Sequence, residues 1–148
     1  MRRIFVLTCI VFISQAVYSQ GTPLNWIQII HQNNSDVRID TSTIKRIGND
    51  EILVWGLETY KAPIQIDSVS NKVYRVKTHY LINKNLLRYS ILEIVYYDNK
   101  NNLLEEFSYS QDNEQSDGYP YPVLPHSGME SILINSIEHL RIKHFGTN

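Results

Sequence analysis

Apolar and polar positions alternate along most of this chain, and the alternation gives way to helical spacing only near its end. The clearest stretch runs from Val73 to Ile82. There Tyr74, Val76, Thr78, Tyr80 and Ile82 fall on one side, and Arg75, Lys77 and His79 on the other. Successive strand residues point to opposite faces, so this reads as a sheet strand with one buried face and one wet face. Glu51 to Tyr60 holds Ile52, Leu53, Val54, Trp55 and Leu57, a run of good strand formers. Trp26 to His31 and Val37 to Asp40 are shorter runs, separated by the polar turn Gln32-Asn33-Asn34-Ser35-Asp36, and Gly48-Asn49-Asp50 marks another turn. Leu86 to Tyr97 and Leu103 to Tyr109 flank Asp98-Asn99-Lys100-Asn101-Asn102. Asn and Asp tolerate left-handed backbone angles, so this segment predicts a hairpin. Residues 111–126 read as a polar, then proline-rich loop.

The period then changes. Ser127-Gly128-Met129-Glu130 has the Ser-x-x-Glu spacing of a capping box, which satisfies free amides at a helix start. Met129, Leu133, Ile137 and Leu140 follow at spacings of four, four and three, which predicts one apolar helix stripe ending near Gly146. One amphipathic helix after a run of strands has only the sheet to bury its stripe against. The expected fold is therefore α+β, an antiparallel β-sheet with a C-terminal helix packed on one face.

The beginning of the chain reads as a leader. Met1-Arg2-Arg3 is basic, Ile4 to Ala16 is almost unbroken apolar sequence, and Val17-Tyr18-Ser19 resembles a cleavage site before Gln20. This is the layout of a secretory signal peptide over residues 1–19, and the run is too short for a stable membrane span. The expected mature protein is one domain over residues 20–148, about 129 residues, located in the periplasm, on the cell surface or in the medium. Losing Arg2 and Arg3 leaves 12 basic against 15 acidic residues, a net charge of about −3. The absence of a basic stripe argues against a nucleic-acid partner. The single cysteine, Cys9, sits inside the apolar run, preceded by Thr8. A lipid-anchored reading would need a small residue before the cysteine and a completed apolar stretch. Cleavage after Ser19 removes Cys9, and disulfides, thiol catalysis and cysteine metal sites go with it.

Catalytic and metal patterns are weak. His139 and His144 are five residues apart, about 140° past one full helical turn, so they do not share a face. Ser127, His126 and Asp117 could be assembled on paper into a hydrolytic triad, but no Gly-x-Ser-x-Gly elbow is present and Ser127 suits a helix cap. Glu105 and Glu106 are adjacent in a strand pattern and point to opposite faces. No glycine-rich phosphate loop occurs. The expectation is a binding protein, not an enzyme, with no metal and no cofactor.

The order of elements resembles the surface-adhesin protein E-like family of exported bacterial proteins. The resemblance rests on Trp26, Val37-Arg38-Ile39-Asp40, Thr43-Ile44-Lys45-Arg46, Gly48, Val54-Trp55, Tyr60, Lys77, Arg88, Tyr97-Asp98 and Pro125-His126-Ser127. It spans about Trp26 to Leu140, and no single element is specific. It implies a curved antiparallel sheet with the helix on its concave face, and attachment to a protein ligand as the family's best-known activity. The family usually ties helix to sheet with a cysteine pair. Asn83 and Ser136 stand near those places here, so the resemblance implies packing without that tether.

The candidate binding residues are Arg75, Lys77 and His79 on one strand face, Arg88 if the neighbouring strand pairs in suitable register, and Trp55. Trp55 reads first as a core side chain and second as an aromatic anchor. The ten tyrosines, eight of them beyond residue 70, suit strands and recognition surfaces alike. The leading functional expectation is an exported module that binds a protein ligand. The alternatives are a carrier of a small apolar ligand between helix and sheet, and a structural or assembly partner in the envelope.

Overall fold

The computed structural model describes residues 24–109 and 118–145. The leader, Asp117 and Gly146 lie outside the described residues. Eight strands form one antiparallel sheet: β1 (Trp26–His31), β2 (Ser35–Asp40), β3 (Lys45–Ile47), β4 (Glu51–Ile64), β5 (Val73–Asn83), β6 (Arg88–Tyr97), β7 (Leu103–Ser108) and β8 (Tyr121–Pro122). The helix α1 (Gly128–Phe145) follows and packs on one face. The protein is α+β, as its pattern predicts.

Strand order is β1-β2-β4-β5-β6-β7. The 14-residue β4 serves two partners on one edge, pairing β2 through Gly56–Tyr60 and β3 through Glu51–Leu53. On its other side it meets β5 in a continuous register from Glu51 opposite Asn83 to Thr59 opposite Arg75. The hairpin turn between β6 and β7 is built on Asp98. One carboxylate oxygen accepts the Lys100 and Asn102 amides at 2.7 and 2.8 Å, and Asn101 takes a φ of 67°. This is the left-handed geometry that the Asn/Asp run foreshadows. The edge strand β7 carries Glu105 and Glu106, both exposed, on opposite faces. Charges there discourage pairing with another chain.

The core lies between α1 and the sheet. Ile39, Ile52, Val54 and Ile82 come from β2, β4 and β5, and Ile132 and Leu133 from the helix. Gly56 lets the two layers approach, because a Cβ there would stand 3.0 Å from Tyr80 and 3.7 Å from Ile132. A buried corner closes the other end. Asp40 is fully buried, and its Oδ1 accepts hydrogen bonds from the Asn25 amide, the Ser42 amide and the Ser42 hydroxyl at 3.0, 3.0 and 2.6 Å. This ties the start of β1 to the end of β2.

Three local readings change. The helix cap is shifted by one residue: Ser127 Oγ accepts the Glu130 amide at 3.2 Å, while the Glu130 carboxylate accepts the His126 amide at 2.7 Å and not that of Ser127. The buried helix face is Met129, Ile132, Leu133, Ser136 and Leu140, whereas Ile137 is 39 % exposed. The Ser136 hydroxyl donates to the Ile132 carbonyl at 2.7 Å, so a polar side chain is buried there without an orphaned donor. Finally, Tyr121–Pro122 leaves its expected loop state to pair with the start of β6.

Candidate functional site

The face of the sheet turned away from α1 carries an aromatic and cationic platform. It follows from the alternation. Ile52, Val54 and Gly56 turn to the helix, so Leu53, Trp55 and Leu57 turn away, and Arg75, Lys77 and His79 do the same on β5. Trp55 stands directly opposite His79 in the ladder. Their rings stack, with centroids 4.4 Å apart and planes within 6°. Lys77, opposite Leu57, reaches diagonally so that its Nζ lies 4.1 Å from the centre of the Trp55 ring, a cation–π contact. Arg75 continues the row, opposite Thr59. All four side chains are half-buried, and Trp55, His79 and Lys77 shield one another.

Trp55 is therefore not a core residue. The core expectation fails because the β4 register places Trp55 on the opposite face from Val54. Its burial comes from His79 and Lys77, not from the helix.

Arg88 does not join the platform. It pairs with Asn83, eight positions along β5 from Arg75, or about 27 Å. Its guanidinium donates from Nε to the Tyr119 carbonyl at 2.6 Å and from a terminal nitrogen to the Pro120 carbonyl at 2.8 Å. The Ser90 hydroxyl donates to the Gly118 carbonyl, and the Tyr119 hydroxyl to Glu51. Together these bonds clamp the segment that leads into α1. Burial first, then the Glu51 contact, pushes the Tyr119 phenol up to about 12.

Two cations missing from the candidate set lie on the platform side. Arg38 stands opposite Leu57, whose other neighbour is Lys77. Lys45 stands opposite Leu53, and it acts on His79 electrostatically. Both occupy alternate positions of short strands, where a two-residue period is too brief to read. The His79 imidazole is held below its usual value of 6.5, by burial first and then by Lys77 and Lys45. Toward β6 and β7 the sign reverses. Tyr97, opposite Arg75, is raised by burial and then by Glu106 and Glu93. On this face Arg38, Lys45, Arg75 and Lys77 outnumber Asp36 and Glu51 over β2–β5, while Glu93 and Glu106 carry the charge over β6 and β7.

On the helix side a cavity of about 340 Å³ opens beneath the first turns of α1. Val37, Val76 and Met129 line it with Thr78, Glu58 and Tyr80. Burial pushes the Tyr80 phenol up to about 12, although a hydrogen bond with Thr78 opposes the shift.

Of the paper triad, Asp117 lies outside the described residues and Ser127 serves the helix cap. Ser127 Oγ donates to the Leu124 carbonyl at 2.6 Å and accepts the Glu130 amide, so its hydroxyl is occupied by the cap. Among the described residues no three His, Cys, Asp or Glu side chains gather as a metal cage, and no helix is long and apolar enough to cross a membrane. The chain matches no known family model, no curated protein and no solved structure.

Proposed function

We propose that this protein is an exported binding module that recognises an acidic segment of a protein partner through the helix-free face of its sheet. The observation that carries this reading is the Trp55–His79 stack capped by Lys77, beside Arg75, Arg38 and Lys45. A rigid aromatic with cations around it offers contact area and charge at little entropic cost. It stands on the two longest strands, so a partner meets a preorganised surface. The acidic half of the same face would repel a uniformly acidic partner and so set its direction of docking. Export rests on the leader pattern of residues 1–19, and the resemblance of the order of elements to the adhesin E-like family supports a protein ligand.

The test uses an oligo-glutamate peptide as probe. Wild type should bind it at low salt and lose it as salt rises. An Arg75→Glu/Lys77→Glu variant of matched thermal stability should bind at least about tenfold more weakly. Equal binding by both proteins would reduce the platform to a solvated face.

A second reading, a carrier of a small apolar ligand, is favoured by the cavity beneath α1. Its volume lies near the low end of the roughly 300–1,000 Å³ range of small-molecule sites.

A further inference from the structure

A second concavity lies at the other end of the helix, between α1 and β3. It is an open groove of about 850 Å³, and its floor is aliphatic: Ile44, Ile47, Ile137 and Leu140. Ile47 and Ile137 are 41 % and 39 % exposed within it. The exposure of Ile137, off the buried helix face, thus has a place in the fold. Among the described residues the rest of the lining is basic: Lys45, Arg46, Arg141, Lys143 and His144, with no Asp or Glu. The contrast is sharp in a chain that holds 15 acidic against 14 basic residues. Arg46 approaches from β3 and Arg141 from α1, and neither has a carboxylate partner among the described residues.

Charge complementarity therefore selects an anion, and the floor selects a hydrocarbon. Inorganic phosphate or a nucleotide would leave the isoleucines wet. An apolar molecule without charge would leave two guanidinium groups unused. A bilayer surface meets convex protein surface, whereas a groove between two elements admits one chain. We propose that this groove binds a free fatty acid, with its acyl chain along Ile44, Ile47, Ile137 and Leu140 and its carboxylate between Arg46 and Arg141. The planar guanidinium fork matches a carboxylate in two parallel hydrogen bonds. The volume suits a small-molecule ligand. The groove is separate from the cavity under the first turns of α1 and shares only Lys45 with the platform; Trp55, Arg75, Lys77 and His79 do not line it, so its test is distinct from that of the protein-binding reading.

The experiment titrates the full chain with decanoate and dodecanoate below their micellar concentrations, followed by NMR. Shifts should centre on Ile47 and Ile137. Each methylene buried should tighten binding by about two- to fourfold, so dodecanoate should exceed decanoate by about four- to sixteenfold. Dodecyltrimethylammonium, with the same chain and the opposite charge, should bind at least about tenfold more weakly. An Arg46→Glu/Arg141→Glu variant should lose about tenfold or more in dodecanoate affinity. If that variant unfolds, the wild-type shift map and chain-length series decide alone. No binding up to the solubility limit, equal affinity for the cationic amphiphile, or shifts centred on Thr78 and Tyr80 would each overturn the proposal. Capture by anionic phospholipid vesicles without binding of free dodecanoate would assign the groove to a membrane surface and overturn it as well.

Discussion

The two faces of the sheet come from the same strands, yet they are buried in different ways. On one face Ile39, Val54 and Ile82 are fully buried beneath α1. On the other, Trp55, Lys77, His79 and Arg75 are half-buried; Trp55 stacks on His79 and is capped by Lys77, and among the described residues no helix covers them. The difference teaches that burial alone does not identify a core. Apolar side chains covered by a separate element lose their water on folding and stabilise the chain. Amphipathic side chains covering each other keep their charged ends in water and stay available to a partner.

The strongest way to break this comparison is to truncate each type of residue. Leu133→Ala removes a side chain at 4 % exposure between helix and sheet, and should cost about 2–5 kcal/mol in chemical denaturation. Ile137→Ala, from the same helix but outside its buried face, should cost less than about 1 kcal/mol. Equal costs would mean that the helix docks on a different face from the one described.

The dry face was legible in the sequence and the wet face only partly so. Strand alternation from Val73 to Ile82 placed Arg75, Lys77 and His79 together because a two-residue period over ten positions cannot be mistaken. The helix is equally plain, but the predicted stripe runs through Ile137 and omits Ile132 and Ser136. An apolar spacing of four, four and three fits the helix surface facing β3 as well as the one facing the core, and Ser136 carries no apolar signal. Trp55 and Arg88 failed for one reason. Which strand lies beside which, and in what register, is set by long-range pairing that local sequence does not encode. Trp55 became a platform residue through its pairing with His79, and Arg88 became a clamp on residues 119–120, far along the chain. The groove depends on how the fold sets β3 beside the last turns of α1, so its basic lining is not legible as a cluster in the sequence.

Truncating the platform sharpens the comparison from the other side. Trp55→Ala removes a stacked ring and a cation–π contact from the face opposite the helix. It should cost about 1–2 kcal/mol in stability, well below the same substitution in a packed core. The same variant should weaken the oligo-glutamate interaction of wild type. A loss of 4 kcal/mol or more would place Trp55 in the core after all.

The smallest expected effect is also the most specific to the platform, because it reads the charge of His79. Burial against Trp55 and the nearby ammonium groups of Lys77 and Lys45 depress the folded-state pKa below the ordinary value of 6.5. The unfolded chain, free of both, binds the proton more readily. Below pH 6.5 the unfolded state therefore holds more protons at this site, and stability falls as pH drops from about 6.5 through the folded value. Above pH 6.5 both states are neutral at His79 and the contribution is complete. His79→Gln removes the titration, so wild type should lose stability on acidification more steeply than the variant, and the two curves should run parallel above about pH 7. Lys77→Glu offers the complementary arm. Replacing the second cause of the depression with a carboxylate should move the His79 ring titration upward in NMR while leaving the fold intact. If the wild-type and His79→Gln curves run parallel through pH 5.5–7.5, His79 is solvated like an ordinary surface histidine. The platform would then be a stack in geometry alone, without the cationic surroundings on which the proposed binding of an acidic segment rests.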